Sequence, residues 1–118
     1  MSTLTIVLES AYEAFNAGDA AAIGPLIHPN ATWPNTLETG EALIGRDAVI
    51  DHFLRLFTTL RPNIHLIAVI EESADALTVD AQYAVETPDG QIWSDTRARL
   101  IYHFQDGLIS GMTILSGF

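Results

Sequence analysis

The sequence predicts an α+β fold in which helices pack on one face of an antiparallel sheet. Three observations predict it. Helical periodicity fills the first half of the chain, and extended alternation fills the half after Pro62. A chain of 118 residues with 48% apolar content is long and greasy enough to bury one real core. Helices first and strands later are the mark of α+β architecture, whereas a doubly wound sheet alternates the two.

The elements follow in order. Leu4, Val7, Leu8, Ala11, Ala14 and Phe15 recur at helical spacing, so a first helix has an apolar face, and Gly18 is its stop. Asp19 caps a short second helix over AAAIGPLI, which Pro25 bends or ends. NATWPNT is β-branched and aromatic but carries a proline, which predicts a short edge strand. LETGEALIG reads as loop. GRDAVIDHFLRLFTTL is a long helix with Val49, Ile50, Phe53, Leu56, Phe57 and Leu60 on one stripe and an Asp51/Arg55 pair on the wet side. After Arg61-Pro62, the strands NIHLIAVIEE, ALTVDAQYAVET, QIWSDTRARLIYHF and LISGMTILSGF form a meander with turns at PDGQ and QDG.

Parity sorts the two middle strands of the meander. Arg97 and Arg99 belong on the face that carries Asp80, Gln82 and Glu86, because opposite charges attract across strands and a lone buried charge is costly. The inner face is then Val79, Ala81, Tyr83, Ala98, Leu100 and Tyr102. The outer face mixes Trp93, Ile101 and His103 with the charges, which predicts a moderately polar homodimer interface. Two tyrosine hydroxyls pointing inward need partners.

Composition narrows the function. A net charge of −10 repels phosphate backbones and anionic membranes. The chain has no lysine, hence no Schiff-base chemistry, and no cysteine, hence no disulfide, thiol nucleophile or thiolate metal site. MSTLTIVLESAYEAF has no basic run and is not a signal peptide. No apolar run approaches the roughly 20 residues of a membrane span. A soluble, cytoplasmic protein without nucleic-acid or membrane partners is expected. The four histidines lie on different elements with no HxH or HxxxH spacing, so no metal and no cofactor are expected. His28 reads as a surface-loop residue, His52 as part of the polar face beside Arg55, and His103 as an outer-face residue. A general-base role would fall to whichever histidine the fold turns inward.

The segments AYEAFNAGDAAAIGPLIHPNATW, GRDAVIDHF and IYHFQDGLISGM resemble the nuclear transport factor 2-like superfamily, which includes SnoaL-like polyketide cyclases, ketosteroid isomerase and limonene epoxide hydrolase. NAGD, a glycine eight residues before a helix phenylalanine, and F-x-DG-x-I carry the resemblance over nearly the whole chain. It implies a single SnoaL-like domain over residues 1–118. Its fold would be a cone, a curved antiparallel sheet packed on three N-terminal helices around an apolar pocket, usually as a dimer. The family's chemistry does not carry over. The isomerase's carboxylate base falls on Asn35, its oxyanion tyrosine on Ala11 and its protonated acid on Leu100. Trp33 and Asn35 stand where the epoxide hydrolase has a tyrosine and an asparagine, but its last-strand acid falls on Ile114.

The expected function is therefore binding of a small hydrophobic or carbonyl-containing molecule. The alternative is an isomerase, cyclase or hydrolase with a non-standard set drawn from Asn35, Tyr83 and Tyr102. The expected pocket wall is Tyr12, Phe15, Trp33, Phe53, Phe57, Val79, Ala81, Ala98, Leu100, Met112 and Ile114.

Overall fold

The computed structural model describes residues 2–34 and 42–117. Helix α1 (Thr3–Asn16) and a one-turn α2 (Ala20–Ile23) lead through a 3-10 turn into β1 (Ile27–Trp33). A two-residue β2 (Leu43–Ile44) precedes the long helix α3 (Arg46–Thr59). The second half is the meander β3 (Arg61–Glu72), β4 (Ala76–Glu86), β5 (Ile92–Gln105) and β6 (Leu108–Ser116).

The six strands form one sheet in the order β2-β1-β6-β5-β4-β3. The meander is antiparallel throughout. The sheet as a whole is mixed, because β1 lies parallel to β6. Parallel neighbours need a long crossover, and α3 and the meander supply it. The NATW segment is accordingly no edge strand. It starts earlier, at Ile27, and β2 covers its outer side. Its register against β6 is irregular between Ile27 and Thr32, the stretch that contains Pro29, which has no N–H to donate to a ladder.

The NAGD run has a structural purpose at each polar position. The Gly18 N–H bonds to the Phe15 carbonyl at 3.0 Å and the Asp19 N–H to the Ala14 carbonyl at 2.9 Å, which closes the end of α1. Gly18 sits at φ 68°, where a side chain is strained. The Asp19 carboxylate then accepts the Ala22 N–H at 3.1 Å and caps α2. Asn16 turns the other way. Its amide donates to the Ile64 carbonyl at 2.8 Å and its oxygen accepts the Ile64 N–H at 2.7 Å, tying α1 to β3. Two such bonds contribute about 1–3 kcal/mol together. At the other helix, Gly45 adopts φ 93°, ψ 149°, a region open essentially to glycine alone, and its N–H reaches the Ala31 carbonyl at 2.7 Å. That bond sets α3 against β1.

The faces of β4 and β5 sort by charge. Val79 faces Leu100, Ala81 faces Ala98 and Tyr83 faces Thr96 across the ladder. Val79, Ala81, Ala98, Leu100 and Tyr102 are all buried beneath the helices. On the opposite face the Asp80 carboxylate accepts from Arg99 Nε at 2.8 Å, Arg99 Nη2 at 3.1 Å and Arg97 Nη2 at 3.2 Å. The Arg99 bond is the main cause that holds the Asp80 carboxyl below the usual carboxylate range, with burial opposing it and the Arg97 bond assisting. The exposed Asp51 and Arg55 pair at 3.4 Å on α3.

Bulges interrupt this regular alternation. Val85 faces Ser94 while Glu86 faces Ile92, so Trp93 is an extra residue in β5. Ile67 and Ile70 are extra residues of the same kind in β3, and Leu115 in β6. Such insertions bend and twist a sheet, and they break the two-residue period on which side-chain parity rests.

Candidate functional site

Between the curved sheet and the helices lies a cavity of about 760 Å³. That volume suits a drug-sized ligand. Its wall is built from three layers of the sequence. Helix α1 contributes Leu8, Ala11, Tyr12 and Phe15, which are spaced i, i+3, i+4 and i+7. Helix α3 contributes His52, Phe53 and Leu56, with Leu60 just beyond its end. The sheet contributes Trp33 from β1, Ile64 from β3, Tyr83 and Val85 from β4, and Leu100 and Tyr102 from β5. Ile109, Met112 and Ile114 of β6 complete the wall.

All three tyrosines of the chain are in this wall. The Tyr12 hydroxyl donates to the Tyr102 hydroxyl at 2.8 Å, with the rings edge-to-face at 5.9 Å. A phenol that accepts one bond keeps its own proton to give. The pair therefore presents one O–H donor and spare lone pairs within an otherwise greasy wall. Burial pushes the Tyr102 phenol well above its ordinary value, and the neighbouring Tyr12 and Tyr83 phenols push it the same way. Burial raises Tyr12 as well, with the hydrogen bond to Tyr102 as a smaller opposing effect. Tyr83, half-buried, is pushed up to about 12 by burial.

His52 is a further polar residue of the wall. It is 1% exposed and lies among Val49, Phe53 and Leu56 on the buried face of α3. Burial lowers its pKa, the Arg55 charge lowers it further, and the Asp51 charge partly offsets both. The imidazole is thus held neutral at neutral pH. Among the described residues of the wall there is no Asp, Glu, Lys or Arg. Trp33 is 8% exposed and packs edge-on against Phe53 at 5.6 Å and at 6.2 Å from Tyr102.

The structure places Tyr12, Phe15, Trp33, Phe53, Tyr83, Leu100, Tyr102, Met112 and Ile114 in the wall. Phe57, Val79, Ala81 and Ala98 lie outside it. Phe57 packs behind the wall against Phe15 at 5.3 Å and Phe53 at 6.3 Å. Val79, Ala81 and Ala98 are sealed in the core instead. Asn35 lies outside the described residues.

Three further expectations are corrected. His52 is buried in the wall, not on the polar face of α3. Its spacing of three from Val49 and four from Leu56 is the signal that marks it as inward. His28 is no loop residue. It is 7% exposed within β1, where Nδ1 accepts the Asn30 N–H at 3.0 Å and Nε2 stands 3.4 Å from Asp106. Trp93 does not lie flat among the outer-face charges. As the extra residue of its bulge it joins Ser94 at the cavity rim while staying 69% exposed. No sequence period could have shown this, since a bulge is where the period fails.

The raised phenols make an alkaline prediction. A group whose folded pKa exceeds its unfolded value gives stability that is complete below the unfolded pKa and lost as pH rises through the folded one. The unfolded value for tyrosine is near 10 and Tyr83 stands at about 12. Just above pH 10 the folded protein shows almost no tyrosinate absorbance, Tyr83 alone begins to ionise as the pH nears 12, and stability falls steadily between these values. All three tyrosines should then ionise together on unfolding. Normal titration of even one tyrosine near pH 10 in the folded protein contradicts the burial described here.

Comparison with known proteins agrees with this architecture. Among curated protein sequences, none matches this chain. The protein RV0760c of Mycobacterium tuberculosis, solved in complex with estradiol-17beta-hemisuccinate, is similar at a TM-score of 0.85 and 18% identity, covering 98% of this chain and 95% of that one. Delta 5-3-ketosteroid isomerase from Mycobacterium sp. is similar at a TM-score of 0.84 and 15% identity, covering 98% and 94%. An LEH-like epoxide hydrolase of M. tuberculosis follows at 0.81 and 10% identity, covering 95% and 80%. These likenesses establish the nuclear transport factor 2-like fold, and the model of the SnoaL-like domain matches residues 8–112. This chain therefore belongs to the SnoaL-like domain family.

Proposed function

We propose that this protein binds a small apolar molecule through its cavity, seating one carbonyl or hydroxyl oxygen of that molecule at the Tyr12–Tyr102 pair. The observation that carries this reading is a cavity of about 760 Å³ whose wall is apolar except at a few convergent groups. Burying a rigid hydrocarbon there supplies affinity, and one hydrogen bond from a phenol in a water-poor site supplies orientation. The estradiol-17beta-hemisuccinate complex of RV0760c is consistent with a steroid-sized occupant. Trp33 and Trp93 both lie in the wall, so their fluorescence reports occupancy.

A second reading makes the protein an isomerase, cyclase or hydrolase with a non-standard set. His52 favours it, as a neutral base in the same wall as the phenols. Tyr102 or Tyr83 would polarise the carbonyl, with Asn35 assisting. We also infer a homodimer through the outer sheet face near Ile101 and His103. Its support is apolar exposure at the bulges, where Ile67, Ile70 and Leu115 are 44%, 47% and 50% exposed. The exposed part of Trp93 would be covered by the same contact.

Three measurements test these readings. Tyr102→Phe should weaken a steroid ketone about tenfold, the worth of one hydrogen bond, and leave the matching steroid hydrocarbon unchanged. Equal loss for both ligands removes the oxygen seat. Incubation of the protein with the ketone in heavy water should place deuterium beside the carbonyl if the protein is an isomerase or cyclase, and the absence of uptake above background dismisses those two forms of the second reading. In analytical ultracentrifugation the dimer should dissociate on Ile101→Glu, and a wild-type protein that sediments as a monomer at high concentration refutes the interface.

A further inference from the structure

The cavity has two unlike ends, and β5 runs between them. Tyr102 marks the buried end. It is 3% exposed, and Ile27 and Ile109, each 1% exposed, continue the wall beyond it, where Ile109 faces Phe104 across the ladder. Trp93 and Ser94, both exposed, mark the other end. We propose that the ligand is an elongated molecule lying along this strand, its oxygen at the Tyr12–Tyr102 pair and a flat aromatic ring at its far end against the Trp93 indole. This rests on the binding reading above and adds a second point of recognition to it.

The first support is length. Ser94 and Tyr102 stand eight positions apart on β5, a run of about 26 Å along the strand before curvature shortens the straight path. A wall that holds both residues is stretched along the sheet, and a compact ligand seated at the phenols would leave the Trp93 end to water. The second support is the bulge. Strict alternation would turn Trp93 outward with Asp95 and Arg97, but the extra residue between the Val85–Ser94 and Glu86–Ile92 rungs brings it into the cavity wall instead. Bulges re-aim side chains in this way beside binding sites. The third support is chemical. Trp93 is 69% exposed, so a ligand ring that covers its cavity side buries apolar surface the protein alone leaves wet. An aromatic ring there gains stacking or edge-to-face attraction beyond its area, which a saturated ring of similar size does not. The dimer contact inferred above would cover the outward side of the indole and leave the cavity side to the ligand.

Matched probes test this without knowledge of the natural ligand. Cyclohexanones carrying one, two or three rings in line at carbon 4 are each paired with the analogue whose terminal ring is cyclohexyl. Binding is measured by calorimetry, which does not depend on Trp93 as a reporter. The terminal aromatic ring should tighten binding about fivefold in a longer pair and give no preference in the one-ring pair, which cannot reach the rim from the phenols. Trp93→Leu should abolish the preference, and Trp93→Phe should keep part of it. Trp93→Gln serves if the leucine variant does not fold. Tyr102→Phe should weaken both members of every pair alike. If the ketones bind and respond to Tyr102→Phe but show no aromatic preference at any length, this inference falls and the oxygen seat stands. A preference that survives Trp93→Leu, or one equally strong in the one-ring pair, overturns it as well. If no probe binds, the binding reading falls and takes this one with it.

Discussion

The grip of Arg97 and Arg99 on Asp80 is the constraint from which the rest follows. Exposed ion pairs add little stability, and this one is only partly covered, with side chains 62% and 46% exposed on the arginines. Its importance lies in what it forbids. Two arginines and an aspartate spaced by two along adjacent strands must share a face, and a slip of one residue would drive all three beneath the helices. With the charges held outside, Val79, Leu100, Tyr83 and Tyr102 have to turn inward. Among the described residues, the lining accordingly has no acid.

The sheet is not uniform along its length. Around Ala81 and Ala98 the side chains are small and buried. Elsewhere aromatic rings prop the helices away. Phe53 meets Phe15 and Trp33 edge-on, each at 5.6 Å, Trp33 lies tilted 6.2 Å from Tyr102, and Tyr102 meets Tyr12 edge-on at 5.9 Å, as a frame of rigid spacers. Bulges add curvature by inserting single residues. The hollow is therefore a product of small residues in one place, large flat ones in another, and extra residues between.

Much of this could be read from the sequence, and the failures are instructive. Periodicity located α1, α3 and the meander because each buries one face against a partner. Cross-strand charge pairing fixed the orientation of β4 and β5. The parallel pairing of β1 with β6 was not visible, since nothing local to NATW says which distant strand it will join. Polarity alone puts His52 on the wet side of α3, whereas its spacing from Val49 and Leu56 puts it inside. Parity misplaces Trp93 because it is counted across a bulge. Trp93 reaches the cavity because the strand departs there from its period, whereas His52 keeps the helical period and breaks only the apolar pattern of its face. Relatives at 10–18% identity keep the fold, and fold alone does not transmit chemistry.

The amide of Asn16 has a further effect. Strand β3 ends the sheet, and Ile64 points its backbone N–H and C=O away from β4, toward the open side. An unoccupied pair of that kind is an invitation to a strand from another molecule. One side chain from the end of α1 fills it, imitating a neighbouring strand at a single rung. The bulges at Ile67 and Ile70 spoil the ladder beyond that rung. A chain with 48% apolar residues thus carries its own guard against edge-to-edge aggregation, placed by the same short motif that closes its first helix.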